Sequence, residues 1–508
     1  MRRLPRLLGT AALAALSGCM VGPDYKRPDA PRPVVFKELL GWKPATPMDA
    51  IDRGAWWSVY RDPVLDGLER QVSISNQTVK EAEAAYRAAA AEVAVARANL
   101  FPVLGLNAGV TGSSGGGGTS SSSGSGAIVT PSVTVPSGTT SSGRSFGGGS
   151  TTRTSYNLQS SLSWDLDVWG RIRRQIESSA AAAQVSAGDL ANAQLSAQVT
   201  LATDYFELRG SDAMQRLLDQ TVAEYERSLR ITENQYNAGT AARSDVITAQ
   251  TQLETTRAQA INVGVARAQF EHAIAVLAGL APAQLTLPPG PLAAEVPVAP
   301  PTVPSALLER RPDIAAAERA MQEQNALIGV QIAAYYPDIS LSALYGYVGN
   351  PLGSLIQASN RIWSIGGAAS ETLFSGGARP AAVTAARATY DESVATYRQT
   401  VLTAFQQVED ALSTLRILQQ QSVVQDNAVR LARQAVQIAL NEYRAGTVAY
   451  TTVVTNQATA LSDEEAALTI GMQSLEASVA LIGALGGGWD ASQLPTQGQL
   501  QRGGPVFP

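Results

Sequence analysis

The residue types that most often do chemistry in proteins are scarce in this sequence. Its 508 residues include one cysteine, Cys19, one histidine, His272, and four lysines. A single cysteine excludes an intrachain disulfide and a cysteine-based zinc site, and a single histidine excludes metal sites built from several histidines. The formal net charge is −5 and there is no basic run, so nucleic acid is not an expected partner. The composition argues against most enzyme classes, and we expect no cofactor or bound metal.

One segment has the spacing of a hydrolase nucleophile. Gly112-Ser113-Ser114-Gly115-Gly116 satisfies the G-x-S-x-G pattern. That pattern needs a strand, a sharp turn and a helix around the serine, whereas this serine lies in a Gly/Ser-rich stretch and His272 lies in a predicted helix. We therefore predict no catalytic residues.

Cys19 does have an interpretation. Three arginines precede the short apolar stretch 7–16, which is typical of a secretory signal peptide. The order Leu16-Ser17-Gly18-Cys19 resembles a bacterial lipobox, in which cleavage before the cysteine leaves its thiol to carry lipid. The alternative is an ordinary signal peptide with a chance cysteine. Met20 is not the aspartate that favours inner-membrane retention, so this resemblance indicates the outer membrane.

Alternating segments predict strands rather than membrane helices. No segment after residue 18 has eighteen consecutive apolar residues, and the stretch 154–168 has a period of two. Its apolar face suits a lipid-facing strand, and the predicted lipid-facing residues are Tyr156, Leu158, Leu162, Trp164 and Leu166. Further strands are expected after Pro102, after Pro337 and at 362–373. The alternative is a soluble β-sandwich.

The rest of the sequence predicts long helices and is duplicated. Tyr236-Asn237-Ala238-Gly239-Thr240 returns as Tyr443-Arg444-Ala445-Gly446-Thr447, an offset of 207 residues. Residues 172–235 and 245–279 are predicted helices, with counterparts at 378–441 and 448–485. Steps of three and four between apolar residues indicate coiled-coil packing, so a soluble adaptor hairpin is an alternative for these helices. Four strands cannot close a membrane barrel, so other chains must complete it and a homo-oligomer is expected.

The order of these features predicts how the chain is divided. A signal peptide (1–18) and a lipid-anchored segment (19–61) precede the first repeat (62–280). A Pro-rich linker (281–305) leads to the second repeat (306–486) and a C-terminal tail (487–508). The Ser/Gly-rich segment 112–153 lies between the first two predicted strands and is expected to be an outward-facing loop. This loop is either a tolerated expansion or an element that plugs the exit or binds a partner.

Several motifs together resemble the TolC-like outer membrane factors, specifically the lipoprotein branch serving RND-type efflux pumps (the OprM and NodT-like group). The start of the mature chain, Cys19 to Pro28, is similar to that branch. So are Trp56-Trp57 with Asp62-Pro63-Val64-Leu65, and Glu309-Arg310-Arg311-Pro312-Asp313-Ile314 at the opening of the second half. The resemblance covers nearly the whole chain.

This resemblance implies a mainly α fold with a share of a membrane β-barrel. Three subunits would each give four strands to one outer-membrane barrel, and their long helices would form an α-barrel tunnel across the periplasm. The implied partners are a periplasmic adaptor (membrane fusion protein), an inner-membrane RND transporter and outer-membrane lipid. Drugs, other small toxic compounds or metal ions would leave passively. The alternatives are a duct for type I protein secretion and a purely structural coiled-coil lipoprotein.

The resemblance places a gate, rather than an active site, at the helix tips. The turns at Gly239 and Gly446 would lie at the periplasmic end, where the tunnel narrows. Asp245 matches a repeat-one aspartate that hydrogen-bonds a repeat-two tyrosine, here Tyr443, in the closed state. Arg243 and Arg444 flank these turns and would add ion pairs, or would simply be solvated charges.

Two threonines depart from the family pattern near the same tip. Thr452 and Thr455 stand where relatives often carry acidic residues that favour cations. Hydroxyls would replace carboxylates at the constriction, and we predict a weaker cation preference.

Overall fold

The structure is a computed structural model that describes residues 20–29, 36–37, 55–115, 151–292, 296 and 310–502. Cys19, the signal peptide and most of the predicted linker and Ser/Gly-rich loop lie outside these residues. The chain divides into two compact units, each made of separate segments. One unit includes residues 98–170 and 334–375 and is built on a sheet. The other includes 20–97, 171–333 and 376–508 and is helical.

The sheet unit is an antiparallel meander of four strands. In chain order these are β1 (Val103–Gly115), β2 (Thr151–Leu166), β3 (Asp338–Gly349) and β4 (Arg361–Ser370), and the spatial order is the same. Two short 3-10 turns, Leu352–Ser354 and Ala358–Asn360, lie between β3 and β4. The fourth strand forms despite Gly366 and Gly367, although it ends three residues earlier than the sequence predicted.

The strand register gathers the apolar residues on one face. Leu162 lies between Leu104 of β1 and Ala343 of β3, and Tyr345 is paired with Trp363 of β4. The alternate residues of β2 are mostly Asn, Gln, Ser and Asp and point to the opposite face. Leu104, Trp363 and several neighbours on the apolar face are largely exposed. A sheet with one exposed apolar face is the pattern expected of strands that meet lipid.

The outer strands of this sheet have free edges. Within the described part of the chain, β1 pairs only with β2, and β4 pairs only with β3. Unpaired backbone N–H and C=O groups are not tolerated in the hydrocarbon core of a membrane. The two edges therefore require strands from other subunits.

The described residues of the helical unit form eight α-helices. These are α1 (Pro63–Ser75), α2 (Gln77–Ala98), α3 (Arg171–Asn237), α4 (Arg243–Leu277), α5 (Pro312–Ala333), α6 (Ala378–Arg444), α7 (Tyr450–Ala484) and α8 (Gln497–Arg502). Helices α3 and α6 both have 67 residues, and α4 and α7 both have 35. All four bounds repeat at the offset of 207 residues. The helix geometry thus supports the duplication seen in the sequence.

Helix α7 differs from the expectation that the chain has no candidate membrane helix. By length and composition it is long and apolar enough to cross a membrane, although it has no unbroken run of eighteen apolar residues. About a third of its most apolar window is buried, and it packs along α6 within the helical unit. Its apolar character is therefore also that of a helix with protein neighbours on its sides.

The two largest apolar cores among the described residues stabilise the helical unit. In the first, Trp56 and Trp57 pack with Tyr205 and Phe206 of α3 and with Val479 of α7. Asp62 caps α1 by accepting hydrogen bonds from the Val64 and Leu65 amides, and the Trp-Trp and Asp-Pro motifs are thereby explained. The second core is formed mainly by α6, α7 and the start of α5.

Candidate functional site at the helix tips

The turns that join the paired long helices have the same structure in both repeats. Gly239 and Gly446 have φ values of 76° and 73°, a left-handed conformation that glycine adopts without steric cost. After each glycine, a threonine donates from both its backbone N–H and its hydroxyl to one carbonyl of the preceding helix. Thr240 bonds to Gln235 at 2.9 and 3.0 Å, and Thr447 bonds to Glu442 at 3.0 and 2.9 Å. The Gly-Thr pair therefore satisfies carbonyls at a helix end, as a Schellman-type cap does.

The helices that follow the turns begin differently in the two repeats. Helix α4 begins at Arg243 and has Asp245 in its first turn, where a negative charge is favoured. Helix α7 begins at Tyr450 and has no acidic residue in its first turn.

A buried aromatic cluster lies behind the second turn. The rings of Tyr443 and Tyr450 are 5.1 Å apart and tilted, and they pack with Ala249, Ala439 and Val453. Burial raises the pKa of Tyr443, an interaction with the Thr232 hydroxyl lowers it, and the charge of nearby Asp245 raises it again, with a net rise. Both hydroxyls are thus protonated over the physiological pH range and available as donors.

The hydrogen bond expected between Asp245 and Tyr443 is not formed in this chain. The Tyr443 hydroxyl is buried and makes no hydrogen bond of normal geometry among the described residues, although the Thr232 hydroxyl is near enough to act on its pKa. Asp245 is half-buried and also near enough to act on the pKa of Tyr443, but the two groups are not bonded. The bond between Asp245 and Tyr443 that the resemblance implies is therefore not among the contacts that hold the tip in this structure.

The other predicted tip residues lie at the surface of the chain. Arg243 is exposed, and Arg444 makes one long contact of 3.4 Å with the Asn441 side chain. Thr452 and Thr455 are also exposed, and the Thr455 hydroxyl donates to the Thr451 carbonyl at 2.9 Å. Their roles in ion pairing and in lining a constriction stay predictions.

Sequence reasoning missed three residues of this cluster. Tyr450 is almost fully buried, and its hydroxyl lies 3.2 Å from that of Ser228 on α3, which is buried as well. Thr232, one turn further along α3, is fully buried and donates its hydroxyl to the Ser228 carbonyl. A signal was available, because the duplication pairs Tyr450 with Arg243, and a charged and an aromatic residue at matched positions mark a local difference.

A second feature concerns the segment directly after Cys19. The Arg174 guanidinium, on α3, is almost fully buried and donates to the carbonyls of Val21 and Gly22 at 3.1 and 3.2 Å. It also forms an ion pair with Asp24 at 2.9 Å. Gly22 has a φ of 100°, and a Cβ there would be 2.5 Å from the Gly329 Cα on α5. The first residues of the expected mature chain are thus held against the helical unit.

Comparisons with known proteins decide the family. Residues 68–280 and 303–487 match the family model described as outer membrane efflux protein. The chain belongs to this family. It is 29% identical over 487 residues to the toluene efflux pump outer membrane protein TtgC of Pseudomonas putida, covering 95% of this chain and 96% of that protein. It is 28% identical over 495 residues to the outer membrane protein OprJ of Pseudomonas aeruginosa, covering 96% and 97%.

Solved structures agree with this assignment. The structure of the outer-membrane channel OprN is similar with a TM-score of 0.80 and 30% sequence identity, covering 93% of this chain and all of that one. The predicted fold class is confirmed: long helices of an α-barrel tunnel and four strands of a shared β-barrel, internally duplicated and trimeric. The chain is an outer membrane channel of an efflux pump and a transport duct rather than an enzyme.

Proposed function

We propose that this chain is the exit duct of an RND-type tripartite pump, gated where its helix tips meet the partner proteins. Its partners in the pump are a periplasmic adaptor and an inner-membrane RND transporter. The observation that carries the proposal is the similarity over nearly the full length to outer membrane proteins of efflux pumps, including ones named for toluene and antibiotics. The exported compounds are expected to be small, and transport through the duct is expected to be passive.

The tip geometry supports a gate at this position. The two helix pairs end in short, well-bonded turns, and the cluster behind the second turn is joined to α3 through the hydroxyls of Tyr450 and Ser228. A closed state of this kind is held by few polar contacts, each contributing about 1 kcal/mol net. Binding of an adaptor therefore needs only a modest difference in affinity between the two states to open the tips.

A functional test begins with deletion of the gene in its host. Efflux of dyes and the minimal inhibitory concentrations of small toxic compounds should fall, and the wild-type gene should restore both. Purification of the tagged, cross-linked trimer should recover an adaptor and an RND transporter. Recovery of an ABC exporter, with loss of a secreted protein instead of drug efflux, would support the type I secretion alternative.

We also propose that Cys19 carries the lipid that anchors the chain in the outer membrane. The support is the lipobox-like sequence together with the clamp of Arg174 on Val21 and Gly22, which holds the chain two residues beyond the cysteine. Labelling cells with a radioactive fatty acid should mark the wild-type chain and leave Cys19→Ala unlabelled. Equal labelling of both chains would contradict the assignment.

A third proposal concerns ion preference at the constriction. With hydroxyls at Thr452 and Thr455, the duct is expected to prefer cations only weakly. The reversal potential of single channels in a salt gradient measures this directly, and Thr452→Asp should move it toward cation selectivity. Strong selectivity in the wild-type chain, abolished by neutralising a different residue, would contradict the proposal.

A further inference from the structure

In the buried tyrosine cluster at the tip, a tyrosine of repeat two contacts repeat one, and the matched residues do not make the reverse contact. Tyr450, at the start of α7, reaches Ser228 on α3, so the contact joins repeat two to repeat one. The positions matched by the duplication cannot make the reverse contact. Tyr450 corresponds to Arg243, which is exposed, and Ser228 corresponds to Ala435, which has no hydroxyl.

The two tyrosine hydroxyls of this cluster also differ. Tyr450 is 2% exposed and its hydroxyl is bonded to Ser228 at 3.2 Å. Tyr443 is 6% exposed, and among the described residues its hydroxyl has no partner. Of the two hydroxyls, only that of Tyr450 makes a bond of normal geometry to α3 in this state, although Thr232 acts on the pKa of both tyrosines and both rings contribute packing.

The surroundings of the bonded pair favour a fixed geometry. Ser228 is 3% exposed, and its own carbonyl accepts the hydroxyl of the buried Thr232 at 3.0 Å. The Tyr450 ring is held by Tyr443 on one side and by the apolar residues of the cluster, including Ala249 and Val453. A hydrogen bond in such a dry site is stronger than one in water, and a donor left alone there is costly.

We propose that Tyr450 is the latch of the closed gate, bonded through its hydroxyl to Ser228 and holding the start of α7 against α3. This inference rests on the proposed gate at the tips. In this proposal, Tyr450 and Ser228 form the closed-state hydrogen bond that the family resemblance assigned to Asp245 and Tyr443. When the tip widens, α7 moves away from α3, the hydroxyl bond breaks and the ring leaves the cluster.

The decisive experiment removes single hydroxyls and records the purified full-length trimer in planar lipid bilayers. Tyr450→Phe keeps the ring and should raise the ratio of open to closed states roughly fivefold per subunit, the equivalent of one net hydrogen bond. Ser228→Ala should raise it by a similar factor, because it removes the same bond. The double variant should match one single variant rather than their product, because both substitutions remove the same bond.

Two further tyrosines make the test specific. Tyr60→Phe is the matched control: this buried tyrosine also bonds the hydroxyl of a buried serine, Ser478, at 2.7 Å, but near the opposite end of α7. It should leave the open fraction near the wild-type value. Tyr443→Phe should have a smaller effect than Tyr450→Phe. Wild-type behaviour of Tyr450→Phe, or a larger effect of Tyr443→Phe, would overturn the latch.

A final variant separates failure of the latch from failure of the gate. Replacing both rings, Tyr443→Ala with Tyr450→Ala, removes most of the cluster and should open the duct widely if the tips are the gate. If this variant conducts as the wild type does, the gate proposal itself is wrong. If it opens while Tyr450→Phe does not, only the latch is wrong. Heat-modifiable migration of the trimer and its helical circular dichroism show that each variant has folded.

Discussion

The corresponding long helices of the two repeats have the same lengths, but one ion pair at matched positions has its charges reversed. In the first repeat, Arg257 of α4 pairs with Glu226 of α3 at 2.7 Å, and with Glu254 of its own helix. At the corresponding positions of the second repeat, Glu464 of α7 pairs with Arg433 of α6. Duplication has thus kept the position of an interhelical ion pair and reversed its sign. The comparison shows that geometry is copied more strictly than chemistry.

The interiors of the two helix pairs differ more than their surfaces. In repeat one, Asp212 of α3 is buried with Arg209 and receives Arg267 of α4 at 2.7 Å. This charged group also binds the chain that follows α4, since Asp212 accepts the Gly290 amide and Arg267 donates to the Leu287 carbonyl. The group therefore holds the segment that leads out of the first repeat.

The second repeat has no corresponding group. It retains Arg416 at the position of Arg209, but Gln419 and Ser474 replace Asp212 and Arg267. Its helix α6 instead packs an apolar core with Leu412 and Phe405. The difference is physically reasonable, because α7 is not followed by a segment that must be fixed before another repeat begins.

The largest effect is expected from removing the carboxylate of Asp212, which lies at the centre of the charged group of repeat one. Asp212→Ala leaves the buried Arg209 and the half-buried Arg267 without their shared partner, and loss of one member of a buried pair costs about 3–5 kcal/mol. We expect a clear fall in the temperature at which the detergent-solubilised trimer loses its helical circular dichroism. Gln419→Ala, the matched and exposed position of repeat two, should change that temperature little. An equal fall in unfolding temperature for the two variants would contradict the proposed difference between the repeats.

The second test concerns a buried acid that also belongs to repeat one. Glu69 on α1 is fully buried, both of its carboxylate oxygens have no partner among the described residues, and burial raises its pKa to about 9. The folded chain thus holds it protonated, whereas the unfolded chain releases the proton above about pH 4.5. The contribution of Glu69 to the free energy of unfolding is fully present below that pH and is lost as pH rises through about 9. The free energy of unfolding changes by at most about 1.4 kcal/mol per pH unit through this group.

Glu69→Gln tests this contribution. Acidification from pH 8 to pH 5 should raise the thermal stability of the wild-type trimer more than that of the variant. The same variant should be the more stable of the two at pH 8, because it has no proton to take up on folding. Parallel pH profiles would show that Glu69 is already partnered in the folded trimer.

The third test concerns the Gly-Thr turns, which have the same structure in both repeats. Gly239→Ala and Gly446→Ala each place a side chain at a left-handed φ, which costs about 1–2 kcal/mol. Neither added Cβ meets another atom of the described chain within 4 Å, so both changes act through the backbone. Hydrogen exchange at the Thr240 and Thr447 amides should accelerate by a similar factor in the two variants. Gly264→Ala, in the helical interior of α4, should leave these amides unchanged.

The features that could be predicted from the sequence are those with a local or repeating pattern. The helix over 172–235 can be recognised because that stretch has no Pro, and the helix over 245–279 because apolar residues recur there at steps of three and four. The offset of 207 residues then locates their second copies. The predicted helix ends differ from the observed ones by up to three residues in both directions: α3 and α6 end two and three residues later, whereas α4 and α7 end two residues and one residue earlier. The last turns of α3 and α6 are polar and give no apolar signal. The Gly-Thr turns could be read from glycine chemistry alone.

The contacts between distant segments could not be predicted in this way. Ser228 and Tyr450 are separated by 222 positions, and Arg174 contacts a segment more than 150 positions away. No periodicity links such residues, because their proximity depends on how four helices pack. The expected bond from Asp245 to Tyr443 was taken from resemblance, and the structure shows those groups near each other but unbonded.

The smallest expected effect belongs to the reversed ion pairs, which lie at the surface. Arg433 is two-thirds exposed, and ion pairs in such positions are strongly weakened by solvent and salt. Glu464→Arg places two positive charges together and should lower the dissociation temperature of the trimer slightly at low salt. The exchange of both residues, Arg433→Glu with Glu464→Arg, should restore it by giving repeat two the polarity of repeat one. At about 1 M salt, where charges are screened beyond about 3 Å, all three chains should behave alike. A double exchange as harmful as the single change would mean that the sign is fixed by a neighbour outside the pair, and the second repeat would then differ from the first in its partners as well as in its residues.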